Sequence, residues 1–298
     1  MDTEYWTTRN PTMSDYLEFD WRTGVLSNEI LKTVPQTKEI FDRNKSVLGL
    51  RKMLRQCEDL ELRNNAPQDD STLLKFLYAR KFDVQESFDL LKNFYYYRKR
   101  NMDLFQNFNL QALDIVKALE NGLPGVLPSK DRKGRSVFVF NASNWDCSNY
   151  TIISIYRALL FSLEHLIKDT PNQANGFVVI VDWTEFTFRQ VTHLKPGALR
   201  LMIEGLQDCY PARFKGIHFI GQPWYVEAAL TVIKPFLKEK IKDRMYVHGN
   251  NLSTLHEHVH RDILPAEMGG EQPSYNPRSW LEKLQLHMIQ NEEKKNTT

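Results

Sequence analysis

The sequence predicts an α/β fold: a small all-helical N-terminal module, then a mostly parallel sheet covered by crossover helices. Three observations predict it. Between residues 45 and 100 the apolar side chains recur at helical spacing. From about residue 110, helical stretches alternate with short apolar runs, the pattern of βα units. A chain of 298 residues, 42% hydrophobic and 26% charged, can bury a sizeable core and lies outside the disordered and fibrous classes.

In chain order, residues 1–40 are weakly patterned, with Pro11 and Pro35 interrupting any helix, and read as a tail. The helical module covers 45–100. Its first helix runs through Val47, Leu50, Met53 and Leu54. A second is announced by Asp70 or Ser71 as N-cap, followed by Leu73, Leu74, Phe76 and Leu77. A third starts at Asp83, with Glu86 at capping-box spacing. It carries Val84, Phe88, Leu91 and Tyr95 on one stripe and ends on Arg98–Lys99–Arg100. The second domain, 110–275, places helices at 110–121, 152–168, 195–207 and 224–241. Between them lie the runs Val137–Phe140, Phe177–Val181, Ile217–Ile220 and Met245–Val247. The Phe177–Val181 run is apolar without alternation, as in a strand covered on both faces. Residues 281–298 read as a C-terminal tail.

The net charge of +2 excludes a general nucleic-acid binder, so an anionic partner must be met by a local patch. Cys57, Cys147 and Cys209 are odd in number and widely spaced, unlike a disulfide framework or a zinc ribbon. Neither a signal peptide nor an 18-residue apolar run is present, so a cytoplasmic protein is expected. The nucleophile elbow, the Walker loop and the dinucleotide fingerprint are all missing. The expectation is therefore a non-enzyme with no catalytic residue, cofactor or metal. One motif competes: His256–Glu257–His258–Val259–His260 matches His-Glu-x-x-His, in which two histidines hold zinc and Glu257 activates water. Its helix is confined between Ser253 and Asp262, and Ile263 and Ala266 stand where a metzincin needs glycine and histidine. A zinc hydrolase is accordingly only a third reading. Cys147 and Cys209 read as buried small hydrophobes, and Asp182 and Glu185 as caps or loop structure.

The most informative stretch is Gln222–Val247. From Trp224 to Leu237 it is apolar on more than one face, so it belongs in a core or against a lipid-like ligand. Pro235 lies inside it and deletes the hydrogen bond to the Thr231 carbonyl, which predicts a kink. Residues 234–244 then carry a net charge of +3, with Lys234, Lys238 and Lys242 on one helical face. This suits a hinged lid with a basic end. Uncovering about 400 Å² of apolar surface in water would cost about 10 kcal/mol at 25 cal/mol/Å². Against a bilayer that cost largely vanishes, and each Lys or Arg near an anionic surface adds roughly 1 kcal/mol. Arg213 and Lys215, just before a strand, are expected near Lys240 and Arg244.

Leu73–Phe82 resembles the N-terminal module of the CRAL-TRIO family. Gly205–Phe214, Ile233–Leu237, His248–Asn251 and Leu264–Gly270 resemble its lipid-binding domain. Asn144–Trp145–Asp146 and Gly221–Tyr225 lean toward the clavesin branch. The resemblance implies a three-layer fold holding one hydrophobic molecule behind a mobile gate helix at 224–241. It implies gate residues Val226, Leu230, Ile233, Pro235 and Leu237, and a pocket lined by Phe140, Ile155, Leu159, Leu163, Phe177, Val179 and Phe186. Leu159 and Leu163 replace hydroxyl-bearing residues of the tocopherol-binding branch, while Tyr156 and Ser162 are either polar handles or ordinary helix residues. It further implies a phosphoinositide site at Arg213, Lys215, Lys240 and Arg244, with Arg80 beside it. Membranes bearing a phosphoinositide bisphosphate, phosphatidylinositol 3,5-bisphosphate among them, and the clathrin machinery are the implied partners. The implied setting is lipid transfer at endosomal, lysosomal or trans-Golgi membranes. The alternative is a clathrin-linked trafficking adaptor or lipid sensor.

Overall fold

A computed structural model describes residues 36–296. Most of the expected 1–40 tail lies outside the described residues. The first helix, Gln36–Gln56, packs Val47, Leu50 and Leu54 against helices Asp70–Ala79 and Val84–Arg100. The second helix starts one residue earlier than the sequence suggests. Asp69 is the cap and accepts the Thr72 amide at 2.9 Å, while Ser71 donates to the same carboxylate at 2.7 Å. Asp83 caps the third helix as expected, accepting the Glu86 amide at 2.8 Å. Such side chains satisfy amides that have no partner inside the helix.

The sheet has five strands in the order β1 (Gly125–Val126), β2 (Ser136–Asn141), β3 (Phe177–Asp182), β4 (Phe214–Ile220) and β5 (Met245–Gly249). Only β1 is antiparallel, to β2; the other pairs are parallel and joined by helical crossovers. All four predicted runs lie within strands. At two residues, β1 is too short to leave a pattern in sequence. Alternation divides the sheet between two cores. Phe138, Phe177, Val179 and Phe219 join helix Ile152–Leu166 on one face. Val137, Val139, Val178 and Ile180 join Leu255, Val259, Leu264 and Met268 on the other. The domain is thus three layers deep.

Two expectations change. Of the expected tail at 281–298, the described residues 281–296 are helical. Helix Ser279–Asn296 buries Trp280, Leu281 and Leu284 in the main core, and Trp280 donates its indole N–H to Ser162 Oγ at 2.9 Å. The continuous helix at 224–241 breaks into Trp224–Ile233, a 3-10 turn at Lys234–Phe236, and Glu239–Lys242. Pro235 forces the break by removing an amide donor.

Candidate functional site

A cavity of about 240 Å³ lies between the sheet, helix Ile152–Leu166 and helix Trp224–Ile233. The first helix contributes Ile152, Ile155, Tyr156 and Leu159, and the strands contribute Phe140, Val181 and Phe219. Trp183 and Phe186 follow β3, and Val226, Ala229, Leu230 and Ile233 close the space from the gate. Only apolar atoms face it. The polar atoms that could have done so are engaged elsewhere. Tyr156 Oη meets Tyr97 Oη at 2.9 Å, Tyr97 donates to the Leu201 carbonyl at 3.0 Å, and burial raises both phenol pKa values. Ser162 donates to the Ala158 carbonyl at 2.8 Å. Tyr156 and Ser162 are therefore structural, not polar handles.

Of the seven expected pocket residues, Phe140, Ile155, Leu159 and Phe186 line the cavity, whereas Leu163, Phe177 and Val179 do not. Leu163 sits one turn beyond Leu159 and is fully buried. Phe177 and Val179 share a face with Val181, but the tilted Phe138, Phe177 and Phe214 rings fill that end of the sheet, with centroids 5.6 and 6.3 Å apart. Leu194, Leu199 and Met202 complete the wall and escaped the sequence reading, although Leu199 and Met202 stand one helical turn apart.

Helix Trp224–Ile233 is two-faced. Val226, Ala229, Leu230 and Ile233 look inward, whereas Trp224 and Val232, together with Phe236 in the turn that follows, are exposed. Leu237 is buried beyond the cavity, and Pro235 lies at the surface. The lysines expected on one face diverge at the break. Lys238 pairs with Asp208, and its amide donates to Gln207 Oε1 at 3.1 Å. Gln207 also donates to the Phe236 carbonyl at 3.1 Å, so the turn at Gly205–Cys209 holds the gate's far end.

The basic residues converge near that end. Arg244 Nη1 donates at 2.6 Å to the carbonyl of Phe214, the residue between Arg213 and Lys215 in the chain, and the Arg213 guanidinium itself donates to the Gln173 carbonyl at 3.2 Å. Partial desolvation, with Arg244, Arg80 and Lys81 close by, depresses the Lys240 ammonium. Burial lowers the Arg80 guanidinium in turn, against the pull of Glu86 and Asp208. The helical module thus supplies Arg80 and Lys81 to a cluster whose other members come from the sheet domain. Lys81 escaped the sequence reading, though it directly follows Arg80.

The His-Glu-x-x-His stretch is not a zinc helix. The helix ends at His256, whose Nε2 lies 2.9 Å from the Met268 carbonyl. His260 caps the next turn and contacts Arg132 at 2.7 Å. Among the described residues, no group of three or more His, Cys, Asp or Glu could hold a metal ion.

Two sequence families match the chain: the CRAL/TRIO domain over residues 120–270 and the CRAL/TRIO N-terminal domain over 28–93. This chain belongs to the CRAL/TRIO family. Human Clavesin-2 is 51% identical over 219 residues, covering 74% of this chain and 67% of the relative. Clavesin-1 of Xenopus laevis is 49% identical over 216 residues, covering 72% and 65%. The crystal structure of Sfh5 superposes with a TM-score of 0.52 at 15% identity, covering 84% of this chain and 98% of that one, which shows a shared fold. The chain is thus a clavesin-like member of a lipid-binding and lipid-transfer family. No helix among the described residues is long and apolar enough to cross a membrane.

Proposed function

We propose that this CRAL/TRIO protein carries one hydrophobic molecule in the cavity and exchanges it at phosphoinositide-bearing membranes. The observation that carries the proposal is the gate, whose inner face completes an apolar cavity while Trp224, Val232 and Phe236 on its outer face meet solvent. A bilayer satisfies both faces at once. Arg213, Lys215, Lys240 and Arg244, with Arg80 beside them, dock on the headgroup, where several cations meet adjacent phosphates. The gate then moves about the Pro235 break and the cargo passes into lipid. By analogy with the clavesin relatives, an endosomal membrane carrying phosphatidylinositol 3,5-bisphosphate is the setting we favour, with no catalytic step.

Vesicle flotation tests the docking step. The wild-type chain should float with vesicles containing phosphatidylinositol 3,5-bisphosphate. Reversing Arg213, Lys215, Lys240 and Arg244 to Glu should abolish flotation while leaving the circular dichroism spectrum intact. Undiminished flotation of the folded variant would refute docking through this cluster.

A further inference from the structure

Leu230 borders both a wholly apolar cavity and a second space that carries charged side chains, and that difference bears on the chemistry of the cargo. At about 240 Å³ the cavity is smaller than the roughly 300–1,000 Å³ clefts that enclose a whole drug-sized ligand. Trp183 Nε1 has no hydrogen-bond partner among the described residues, yet it is packed under neighbouring atoms and does not face the space. A hydroxyl, carboxylate or phosphate drawn into this cavity would lose its water and gain no partner. The cavity therefore accepts hydrocarbon, and a polar group on the cargo has to lie outside it.

Leu230 borders the cavity on one side and, on the other, a groove of about 640 Å³ between the gate and the edge strand β5. That groove is bordered by Glu227, Thr231, Lys234 and Lys242, with Met245 and Val247 along the strand. Lys234 makes no ion pair among the described residues. Lys242 reaches only the exposed Glu239, at 2.7 Å, a surface pair that an incoming anion can replace. The helix break at Pro235 makes this arrangement, because it sends Lys238 to Asp208 and leaves Lys234 and Lys242 on the groove.

Resting on the cargo reading above, we propose that the cargo is an acidic single-chain amphiphile. Its hydrocarbon passes Leu230 into the cavity, and its carboxylate or phosphate head lies in the groove with the Lys234 and Lys242 ammonium groups. Cargo head and membrane headgroup are then met by different cations, the first by this pair and the second by the cluster around Arg244.

The test is competition against cis-parinaric acid, a fluorescent polyene fatty acid, bound to the full chain. The competitors are dodecanoic acid, dodecyl phosphate and dodecanol, each below its micelle concentration. Both anions, or whichever carries the preferred head, should displace the probe at a concentration at least tenfold below that of dodecanol. The double variant Lys234→Gln/Lys242→Gln should raise the anions' half-displacement concentrations about tenfold and leave dodecanol's unchanged. Equal potency of acid, phosphate and alcohol on the wild type, or a double variant that leaves the anions unaffected, would overturn the head-group assignment while the cavity stands. A wild type that fails to bind the probe, or a Leu159→Trp variant that binds it unchanged, would overturn the cavity reading together with this one.

Discussion

Tyr97 and Tyr156 show how single side chains keep their polar atoms off the cavity wall. Their hydroxyls meet at 2.9 Å against the turn that begins at Gly205, and a methyl group added at Gly205 would overlap the Tyr156 hydroxyl. Gly205→Ala should therefore break the pair and destabilise the chain by about 1–3 kcal/mol, the cost of leaving a buried polar group unpaired. Urea unfolding checks this, and an unchanged midpoint would mean that the turn yields freely. His218 carries a second residue-level prediction. It is 2% exposed and stacks on Tyr246 and His248, with Nδ1 3.0 Å from His248 Nε2. Burial, then His248, His258 and Arg135, push its pKa down to about 3. The folded chain thus resists protonation between pH 6.5 and about 3, whereas the unfolded chain takes up the proton. Stability should fall as pH drops through that window and level off below it. His218→Phe should flatten the slope between pH 7 and 4, leaving the shares due to His165, which burial lowers to about 4, and His248, which burial also lowers. An identical slope in the variant would show that His218 does not carry the pH dependence.

The gate shows which features of an element can be read from sequence. Its apolar character and the break near Pro235 are written in the residues. Which turn of the helix faces inward is decided by packing, and β3 and helix Ile152–Leu166 supply that constraint from elsewhere in the chain. The same limit explains Phe177 and Val179. Their burial follows from an apolar run, but their distance from the cavity depends on how three phenylalanine rings fill one end of the sheet. The C-terminal helix escaped notice because its buried Trp280, Leu281 and Leu284 occupy only its first turns, while Leu286, Met288 and Ile289 farther along are exposed and trace no single buried stripe. At this scale, replacing Trp224, Val232 and Phe236 by Ser should cut partition onto vesicles about tenfold or more. Because all three side chains are exposed, stability should change by only about 0.5 kcal/mol per site. Flotation beside thermal melting separates the two effects. Full flotation by the triple variant would show that this face stays out of the bilayer.

The whole molecule links its two modules along helix Val84–Arg100. Phe94 packs edge-on against Tyr210 with centroids 5.4 Å apart, Asn93 donates to the Asp208 carbonyl at 3.3 Å, and Arg98 pairs with Glu164. This contact brings Arg80 and Lys81 to the cations around Arg244, an adjacency between residues about 160 positions apart that no local pattern reveals. The strand–helix alternation and the apolar gate were legible because both are local periodicities. The convergence of the cations and the division of cavity from groove come from tertiary packing. At the scale of the whole molecule, the apolar cavity behind helix Trp224–Ile233 should hold one cargo molecule. Native mass spectrometry of the full chain, after incubation with phosphoinositide-bearing vesicles and separation from them, tests it most directly. A one-to-one hydrophobic adduct is expected, and Leu159→Trp should remove it without loss of fold. A bare protein mass for the wild type after that incubation would contradict this expectation.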